Sequence, residues 1–400
     1  MNTPKIRFKG FEDHWEQRKL NEIADVRDGT HDSPKYVQEG HPFITSKNVS
    51  NGFINYDEVQ YITDVDYEEI NKRSKVDVHD ILMGMIGTIG NLALIRQKPD
   101  FAIKNVALIK YTGDVDYQYL YQTLQVDCVT RQLFTGMDGG TQKFVSLKKI
   151  RELGIPFTEE QEQQKIGQYF ENLDNLITLH QRKCDETKQL KKFMLQNMFP
   201  KNGEKNPEIR FEGFTDDWEQ RKLGEVVGIY DGVHQTPQYQ DSGIMFLSVE
   251  NITTLKSEKY ISEEAFERDY KVYPQKGDIL MTRIGDVGTT NVVQTTGKVA
   301  FYVSLALLKP KEINSYFLSN AMKTSVFQKG LRERTLVTAI PQKINKDEIG
   351  RVNVFITNNA EEQKKIEDYF TALDHLITLH QRKCEKLKAL KKFMLQNMFI

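Results

Sequence analysis

Two short turns carry polar side chains whose types and spacing could do chemistry. The segments "DGTHDSPKY" at 28 to 36 and "DGVHQTPQY" at 231 to 239 share an aspartate, a glycine, a histidine and a proline. Their hydroxyl and imidazole side chains are Thr30, His31, Ser33, His234 and Thr236. Such groups suit hydrogen bonds to phosphate oxygens and to the edges of bases. The same residue types also form Asx and Ser/Thr turns around a glycine, which is a structural alternative.

No catalytic motif accompanies these turns. None of the eleven prolines is adjacent to another, which excludes the Asn/Asp-Pro-Pro-aromatic loop of adenine methylation. No G-x-G-x-x-G follows a strand, and G-x-x-x-x-G-K-[ST] and H-E-x-x-H are absent, so nucleotide and zinc motifs are missing. The glycines of "GMIGTIG" at 84 to 90 indicate a turn or a strand-packing element. We therefore expect no catalytic residue, no metal and no cofactor bound by this chain.

Composition limits the class of protein further. In 400 residues, Lys+Arg 55 against Asp+Glu 56 gives a formal net charge of -1, so a nucleic-acid surface would have to be local. Three cysteines are too few for a disulfide scaffold and too dispersed for a zinc cluster. The start "MNTPKIRFKG" is polar, and no run of 18 apolar residues occurs. We expect a cytoplasmic protein of two or three domains.

The chain is a tandem duplication. "IRFKGFEDHWEQRKL" at 6 to 20 returns as "IRFEGFTDDWEQRKL" at 209 to 223, and "LITLHQRKC" at 176 to 184 returns at 376 to 384. "LKKFMLQNMF" at 190 to 199 returns unchanged at 390 to 399. Two copies are fewer than a solenoid requires, so we expect two similar domains in a pseudo-twofold relation.

The residue pattern changes once along each copy. Residues from about 20 to 157 alternate β-branched and aromatic runs with Gly, Asn and Asp turns, which predicts a mixed α+β domain. The residues that follow are rich in Gln, Lys, Leu and Glu, which predicts one long helix. We therefore predict a first recognition-type domain over 1–159, a long spacer helix over 160–200, a second domain over 201–359 and a second long helix over 360–400.

The long helices carry a coiled-coil seam. Apolar or small residues recur at steps of four and three in both copies. The first copy has Ile166, Phe170, Leu173, Ile177, His180, Cys184 and Thr187, and the second has Ile366, Phe370, Leu373, Ile377, His380, Cys384 and Leu387. We expect the two helices to pair as an antiparallel coiled coil. Such a pair could hold two similar domains at a fixed separation, like a ruler.

The order of these parts resembles the DNA-specificity subunit of type I restriction-modification systems. The resemblance rests on the "WEQRKL" lead-in, the DG-x-H-x-[ST]-P turn, the "DIL…G…G" segment, the "EEQEQQKI" or "EEQKKI" helix start and the duplicated helix. It covers nearly the whole chain, through the arrangement of motifs in two copies. It implies two target recognition domains, each binding one half of a split, asymmetric DNA sequence.

The resemblance also implies partners. Double-stranded DNA, two modification (methyltransferase) subunits and the restriction (helicase-nuclease) subunits would assemble on this chain, with no membrane. S-adenosylmethionine, ATP and Mg²⁺ would bind those partner subunits. Two other hypotheses stay open at this stage, a stand-alone DNA-binding regulator and a coiled-coil scaffold that binds only proteins.

Positions that differ between the copies are the better candidates for base recognition, because two non-identical domains imply two different half-sites. Arg suits guanine and Asn or Gln suits adenine in the major groove. The candidates are Lys47, Asn48, Gln142 and Lys143 in the first copy and Asn251, Arg283, Arg334, Thr338 and Gln342 in the second. Many polar residues of this kind are simply solvated surface.

The repeated helix ends indicate a surface for partner proteins. Aromatic and methionine side chains recur there in an otherwise basic stretch, and we expect them to be exposed. They are Phe193, Met194, Met198, Phe199, Phe393, Met394, Met398 and Phe399. Trp15 and Trp218, in the lead-in repeats, are predicted to anchor each lead-in onto its domain or the neighbouring helix.

Overall fold

The computed structural model describes residues 3–50, 52–135 and 144–400. The chain forms two compact units, one of Met1–Gln181 with Arg382–Ile400 and one of Arg182–Gln381. Each unit therefore combines one globular domain with a portion of each long helix. The predicted class, mixed α/β domains each followed by a long helix, is confirmed.

The globular domain of the first unit is built from short strands and helices that precede one long helix. Its elements are β1 (Glu16–Lys19), α1 (Leu20–Ile23), β2 (Asp25–Asp28), β3 (His41–Thr45), β4 (Val49–Ser50), β5 (Phe53–Ile54), β6 (Gln60–Ile62), α2 (Asp64–Ser74), β7 (Ile81–Gly84), β8 (Leu92–Leu94), β9 (Ala102–Lys104), β10 (Val106–Lys110), α3 (Tyr117–Thr123), α4 (Asp127–Phe134), α5 (Leu147–Arg151), β11 (Gly154–Phe157) and the long helix α6 (Glu160–Asn197). A single turn of 3₁₀ helix, Ser46–Asn48, follows β3.

The second unit repeats this plan. Its elements are β12 (Glu219–Lys222), α7 (Leu223–Val226), β13 (Val227–Asp231), β14 (Ile244–Leu247), β15 (Tyr260–Ile261), α8 (Glu263–Asp269), β16 (Ile279–Ile284), β17 (Asp286–Val292), β18 (Val299–Phe301), β19 (Leu305–Pro310), α9 (Ser315–Ala321), α10 (Ser325–Arg334), α11 (Lys346–Gly350), β20 (Asn353–Ile356) and the long helix α12 (Ala360–Asn397). A 3₁₀ turn, Val249–Asn251, follows β14.

The sheets of the two domains have the same topology. A four-stranded antiparallel sheet has the order β2-β10-β7-β8 in the first domain and β13-β19-β16-β17 in the second. A three-stranded sheet has the order β6-β3-β9 or β15-β14-β18, and in each its last pair is parallel. The lead-in strand pairs antiparallel with the strand before the long helix. The duplication seen in the sequence is therefore preserved in these three sheets, while the β4-β5 pair of the first domain has no counterpart among the described residues of the second.

Both long helices contain 38 residues, a length of about 57 Å at about 1.5 Å per residue. Acidic residues occupy both first turns, where they complement the positive end of the helix dipole. The side chain of Asn359 accepts hydrogen bonds from the backbone N–H groups of Glu361 and Glu362 at 3.0 and 3.1 Å, which caps α12. In the part of the chain described, no helix is both long and apolar enough to cross a membrane.

Within each unit the two helix portions run antiparallel. In the first unit, Lys391 donates to Asp174 at 2.7 Å, and the Cys384 thiol lies 3.6 Å from the side-chain oxygen of Gln181. In the second unit, Lys191 donates to Asp374 at 2.5 Å, which is the same pair with the copies exchanged. The antiparallel pairing predicted from the seam is confirmed inside each unit.

The seam positions are largely buried. Ile166, Phe170 and Leu173 pack in the core of the first unit, and Ile366, Phe370 and Leu373 pack in the core of the second. Cys184 and Cys384 are also buried, as expected of small apolar side chains in the seam.

A cluster of aromatic rings fixes each helix end to a domain. Phe399 contacts Trp15, Tyr119 and Phe170 with ring centroids 5.9, 5.7 and 5.9 Å apart. Phe199 makes the matching contacts with Trp218, Phe317 and Phe370 at 5.7, 5.7 and 6.1 Å. The identical helix ends therefore fill the same place in two homologous cores.

A buried carboxylate joins each lead-in to a long helix. The Glu162 side chain, which is fully buried, accepts two hydrogen bonds from Arg7 at 2.7 and 2.9 Å and one from the Trp15 indole at 3.0 Å. Glu362 accepts two from Arg210 at 2.7 and 3.0 Å. Buried charges require such partners, so these contacts position each lead-in against its helix. The anchoring role predicted for Trp15 is confirmed.

Candidate nucleic-acid interface

The two polar turns lie close against a neighbouring strand. A Cβ atom on Gly29 would lie 2.3 Å from the carbonyl oxygen of Ile103, and one on Gly232 would lie 2.5 Å from that of Phe301. Glycine is therefore required because the backbone passes within contact distance of β9 or β18. This packing fixes where the following histidine starts in each domain.

In the first domain the turn side chains contact one another and the adjacent loop. The two ring nitrogens of His31 lie 2.7 Å from the side-chain oxygen of Asn105 and 3.0 Å from a carboxylate oxygen of Asp28. The Thr30 hydroxyl accepts from the backbone N–H of Asp32 at 3.1 Å, which is a Ser/Thr turn. Ser33 accepts a hydrogen bond from Lys104. The structural alternative for the turn is thus observed, while His31 and Ser33 stay at the surface.

A serine hydroxyl ties several loops of the first domain together. Ser46 donates to the carbonyl of Asn105 at 2.6 Å and accepts from the backbone N–H of Met85 at 3.0 Å. The carbonyl of Met85 accepts from Val145 at 2.9 Å. The segments 28–33, 46–48, 85–91, 103–105 and 144–145 therefore meet at one edge of the domain.

The second domain assembles the same edge through a different serine. The Ser304 hydroxyl accepts a hydrogen bond from the backbone N–H of Val249 at 3.1 Å. The backbone carbonyl of Ser304 accepts one from the backbone N–H of Arg283 at 2.9 Å. Arg283 in turn accepts from the backbone N–H of Ile344 at 3.0 Å. The candidate segments of this copy also converge, so each domain has one edge at which its candidate segments meet. We call these the first and second candidate edges.

Two of the proposed base-contacting residues have structural roles. The Asn48 side chain accepts from the backbone N–H of Thr45 at 2.9 Å and donates to the carbonyl of Asn55 at 3.1 Å. Asn251 does the same with Ser248 and Lys256, at 2.9 Å in both cases. Their amide groups are engaged within the chain and hold the 3₁₀ turn. The base contacts predicted for these two asparagines stay predictions, although both amides already have partners within the chain.

Arg283 is also an internal residue. It is buried, forms an ion pair with Asp231 and donates from Nε to the carbonyl of Ile344 at 3.2 Å. Burial lowers the pKa of its guanidinium from the ordinary value, although arginine remains charged near neutral pH. In the first domain the equivalent aspartate, Asp28, is paired with Arg73 of α2 instead. The guanine contact predicted for Arg283 stays a prediction, and the observed role of this side chain is to stabilise the edge from inside.

The remaining candidates differ in their exposure. Lys47, His234, Thr236 and Thr338 are exposed at the candidate edges. Gln342 is exposed and donates to the carbonyl of Gly285 at 2.9 Å, and the half-buried Arg334 donates to that of Gly330 at 3.0 Å. Gln142 and Lys143 lie outside the described residues.

Sequence reasoning missed several residues of these edges. Lys104 and Asn105 contact the first turn, and the only signal for them was the "KN" at the end of a strand-like run. At the second edge, Leu336, Val337 and Ile340 are exposed although apolar. A cluster of exposed apolar residues in a polar loop is a recognisable signal of an interaction site.

The family comparison agrees with this duplicated architecture. The family model described as "Type I restriction modification DNA specificity domain" matches residues 12–189 and again residues 215–389. The chain belongs to this family. The resemblance inferred from the motifs is therefore confirmed, and each match spans one domain with most of its long helix.

Full-length relatives are similar over most of the chain. The type I restriction enzyme MjaVIII specificity subunit of Methanocaldococcus jannaschii is 22% identical over 381 residues, covering 90% of this chain and 88% of the relative. The putative MjaX specificity subunit of the same organism is 22% identical over 422 residues, covering 98% and 95%.

Solved structures show the same fold. The crystal structure of a type I restriction-modification S subunit from M. genitalium has a TM-score of 0.63 at 17% identity and covers 100% of this chain and 99% of that one. A chain from a study of assembly and conformational transition of the type I restriction-modification system has a TM-score of 0.53 at 18% identity, with coverage of 96% and 97%.

The aromatic and methionine residues at the two helix ends fall into a buried group and an exposed group. Met198, Phe199, Met398 and Phe399 are buried in the cores, so the exposure expected of them is wrong. Met194 and Met394 are half-buried. Phe193 and Phe393 are each 53% exposed and remain predicted partner contacts. Their identical exposure in two units gives the chain two matching apolar surface positions.

Further exposed leucines extend these positions. Leu176 and Leu390 are exposed in the first unit, and Leu190 and Leu376 in the second. The antiparallel register places residue 174 opposite 391, so Leu176 and Leu390 lie within two positions of this contact on the two helices, and Leu376 and Leu190 do the same in the second unit. Each unit thus exposes two leucines and one phenylalanine on its helix portions, which we call its apolar helix surface, and the second unit exposes Leu379 as well.

Proposed function

We propose that this chain is the DNA-recognition subunit of a type I restriction-modification complex and reads a bipartite, asymmetric DNA site. The observation that carries the proposal is the pair of candidate edges. Both edges have the same strand topology, and in both a serine side chain hydrogen-bonds the neighbouring loops, yet the two edges expose different residues. Two edges of one design with different side chains suit two half-sites of different sequence.

The candidate edges supply groups for both kinds of DNA contact. Lys47 at the first edge suits a phosphate, because the phosphate backbone accounts for much of the affinity of any DNA-binding protein. The exposed His31, His234 and Thr338 suit base edges or phosphates. The ion pairs Arg73–Asp28 and Arg283–Asp231 would hold the loops in place before DNA arrives, which lowers the entropic cost of binding.

The long helices would set the spacing between the half-sites. Half-sites on one face of B-DNA lie about 34 to 36 Å apart for one helical turn. A helix of about 57 Å exceeds that span and leaves length to dock into each domain. The helix length would set the number of unspecified bases between the half-sites, without contacts to those bases.

We further propose that the matching apolar helix surfaces dock two adenine-N6 methyltransferase subunits. Two identical partners require two identical surfaces on one chain, and Phe193 and Phe393 with their neighbouring leucines provide them. Each methyltransferase subunit would flip an adenine and bind S-adenosylmethionine, and the ATP-dependent nuclease subunits would join the complex in the cytoplasm. The chain itself would be non-catalytic and would bind no cofactor.

Selection from random DNA tests this function. The full chain, co-purified with its cognate methyltransferase subunit, is mixed with a pool of duplexes containing about 30 randomised base pairs, and bound duplexes are sequenced. We expect one enriched motif with two unlike halves separated by unspecified bases. Each mismatched base pair in a half should cost about 1 to 3 kcal/mol. A soluble complex that enriches no motif would favour the protein-only scaffold, and a motif bound equally well by the chain alone would favour a stand-alone regulator.

A further inference from the structure

The second candidate edge exposes an apolar loop. Val337 is 69% exposed and Ile340 is 100% exposed, with Leu336 beside them at 47%. Isoleucine and valine are among the residue types most often buried in proteins, so two of them within four positions of an exposed loop need an explanation.

The loop is held away from the domain by its own hydrogen bonds. The backbone N–H of Leu336 donates to the carbonyl of Lys343 at 2.8 Å, which closes the loop at its base. Gly285 and Gln342 exchange two hydrogen bonds, from the Gly285 N–H to the Gln342 carbonyl and from the Gln342 side chain to the Gly285 carbonyl, both 2.9 Å long. These contacts anchor the two ends of the loop, so its apolar side chains project outward.

The base of this loop belongs to the candidate edge. Ile344 bonds the backbone of Arg283, whose side chain is paired with Asp231 of the second polar turn. In the first domain the residue that bridges the corresponding strand end, Phe144, is 65% exposed. Its counterpart at the matching bridge to Ile284 is Lys343, so the exposed apolar side chains of the second loop lie a few positions before that bridge.

We propose that Ile340, supported by Val337, contacts the 5-methyl group of a thymine in the half-site bound by the second domain. The thymine methyl group is the apolar feature that base pairs present in the major groove, and apolar side chains recognise it there. The polar side chain of Thr338, between the two apolar residues, suits the hydrogen-bonding atoms of the same or the next base pair. This assignment rests on the proposed function and names one specificity-determining contact within it.

The test uses the motif obtained by selection. Each thymine of that motif is replaced in turn by deoxyuridine, which lacks only the methyl group, and the affinity of the complex is measured by fluorescence anisotropy. One replacement should weaken binding about fourfold, the effect of removing one buried methyl group. Ile340→Ala should weaken binding to the unmodified duplex by about 3- to 30-fold. In Ile340→Ala the thymine methyl group already lacks its partner side chain. Replacing that thymine by deoxyuridine should therefore weaken binding of this variant little further.

Two controls separate this contact from general effects. Val65→Ala changes an apolar residue that is 77% exposed on α2 of the first domain, outside the loop segment, and should leave affinity unchanged. The dependence of affinity on salt should be the same for Ile340→Ala and the parent chain, since no phosphate contact is lost.

The outcomes distinguish this inference from the proposed function. If no motif is enriched, the proposed function fails and the inference fails with it. If a motif is enriched but no deoxyuridine replacement weakens binding, the thymine contact is refuted while the function stands. If Ile340→Ala weakens binding equally on every duplex, the loop acts by insertion between bases or through a protein partner, and the thymine assignment is again refuted.

Discussion

Replacing Phe399 by alanine should destabilise the first unit, although most of that unit lies at the opposite end of the sequence. Phe399 packs against Trp15, Tyr119 and Phe170, all of which belong to the first unit. Phe199→Ala should destabilise the second unit, because Phe199 packs against Trp218 and Phe317. The end of the second copy is therefore expected to stabilise the first unit, and the end of the first copy to stabilise the second unit.

The size of the effect follows from burial. Phe399 is 6% exposed and Phe199 is 3% exposed, so either truncation leaves a cavity between aromatic rings. Such Phe-to-Ala changes cost about 3 to 5 kcal/mol. At about 1.4 kcal/mol for each factor of ten, local opening of the affected unit should become at least about 100-fold more frequent.

Hydrogen exchange followed by mass spectrometry resolves the two units separately. In Phe399→Ala, peptides of β2, β7 and β10 should lose protection, while peptides of β13, β16 and β19 should keep it. Phe199→Ala should give the reverse pattern. Phe393→Ala is a matched control on the same helix end, where 53% exposure predicts a change within about 0.5 kcal/mol. Loss of protection in the second domain of Phe399→Ala would refute the assignment of the helix ends.

Three further predictions concern the lead-in, the edges and the spacer. Glu162→Gln should destabilise the first unit by about 3 kcal/mol in urea unfolding, because Arg7 would lose its buried carboxylate partner, and an unchanged midpoint would contradict this. Asn48→Ala should lower the melting temperature yet leave the selected bases unchanged, since its amide holds backbone groups, and a changed motif would show that it contacts DNA. Inserting or deleting residues within 180–190 should change the tolerated spacing and keep both half-sites; altered half-sites with constant spacing would rule out the ruler role.

The duplicated fold could be predicted from the sequence because its signals are repeated. The seam spacing and the lead-in repeats indicated two α+β domains with long antiparallel helices, and the structure has both. Exposure of the helix ends could not be predicted in the same way. The aromatic rings that cover Phe399 come from residues more than 200 positions away, and sequence periodicity carries no information about such contacts.

The candidate edges were predicted only in outline. The polar turns and the loops that differ between copies were found, and these segments do converge in each domain. Base contacts of Asn48, Asn251 and Arg283 are predicted from residue type alone, which is the same whether a polar side chain faces solvent or the backbone. Only the observed hydrogen bonds distinguish the two cases.

The most direct measurement of the central claim is a methylation map. A methylation-deficient host would express the chain together with its cognate methyltransferase subunit, and the genome of that host would be sequenced for N6-methyladenine. The two-edge architecture predicts one split, non-palindromic motif, methylated on both strands, with one adenine in each half. A contiguous or palindromic motif, or the absence of any motif although the methyltransferase is active and soluble, would contradict recognition by two different domains of this chain.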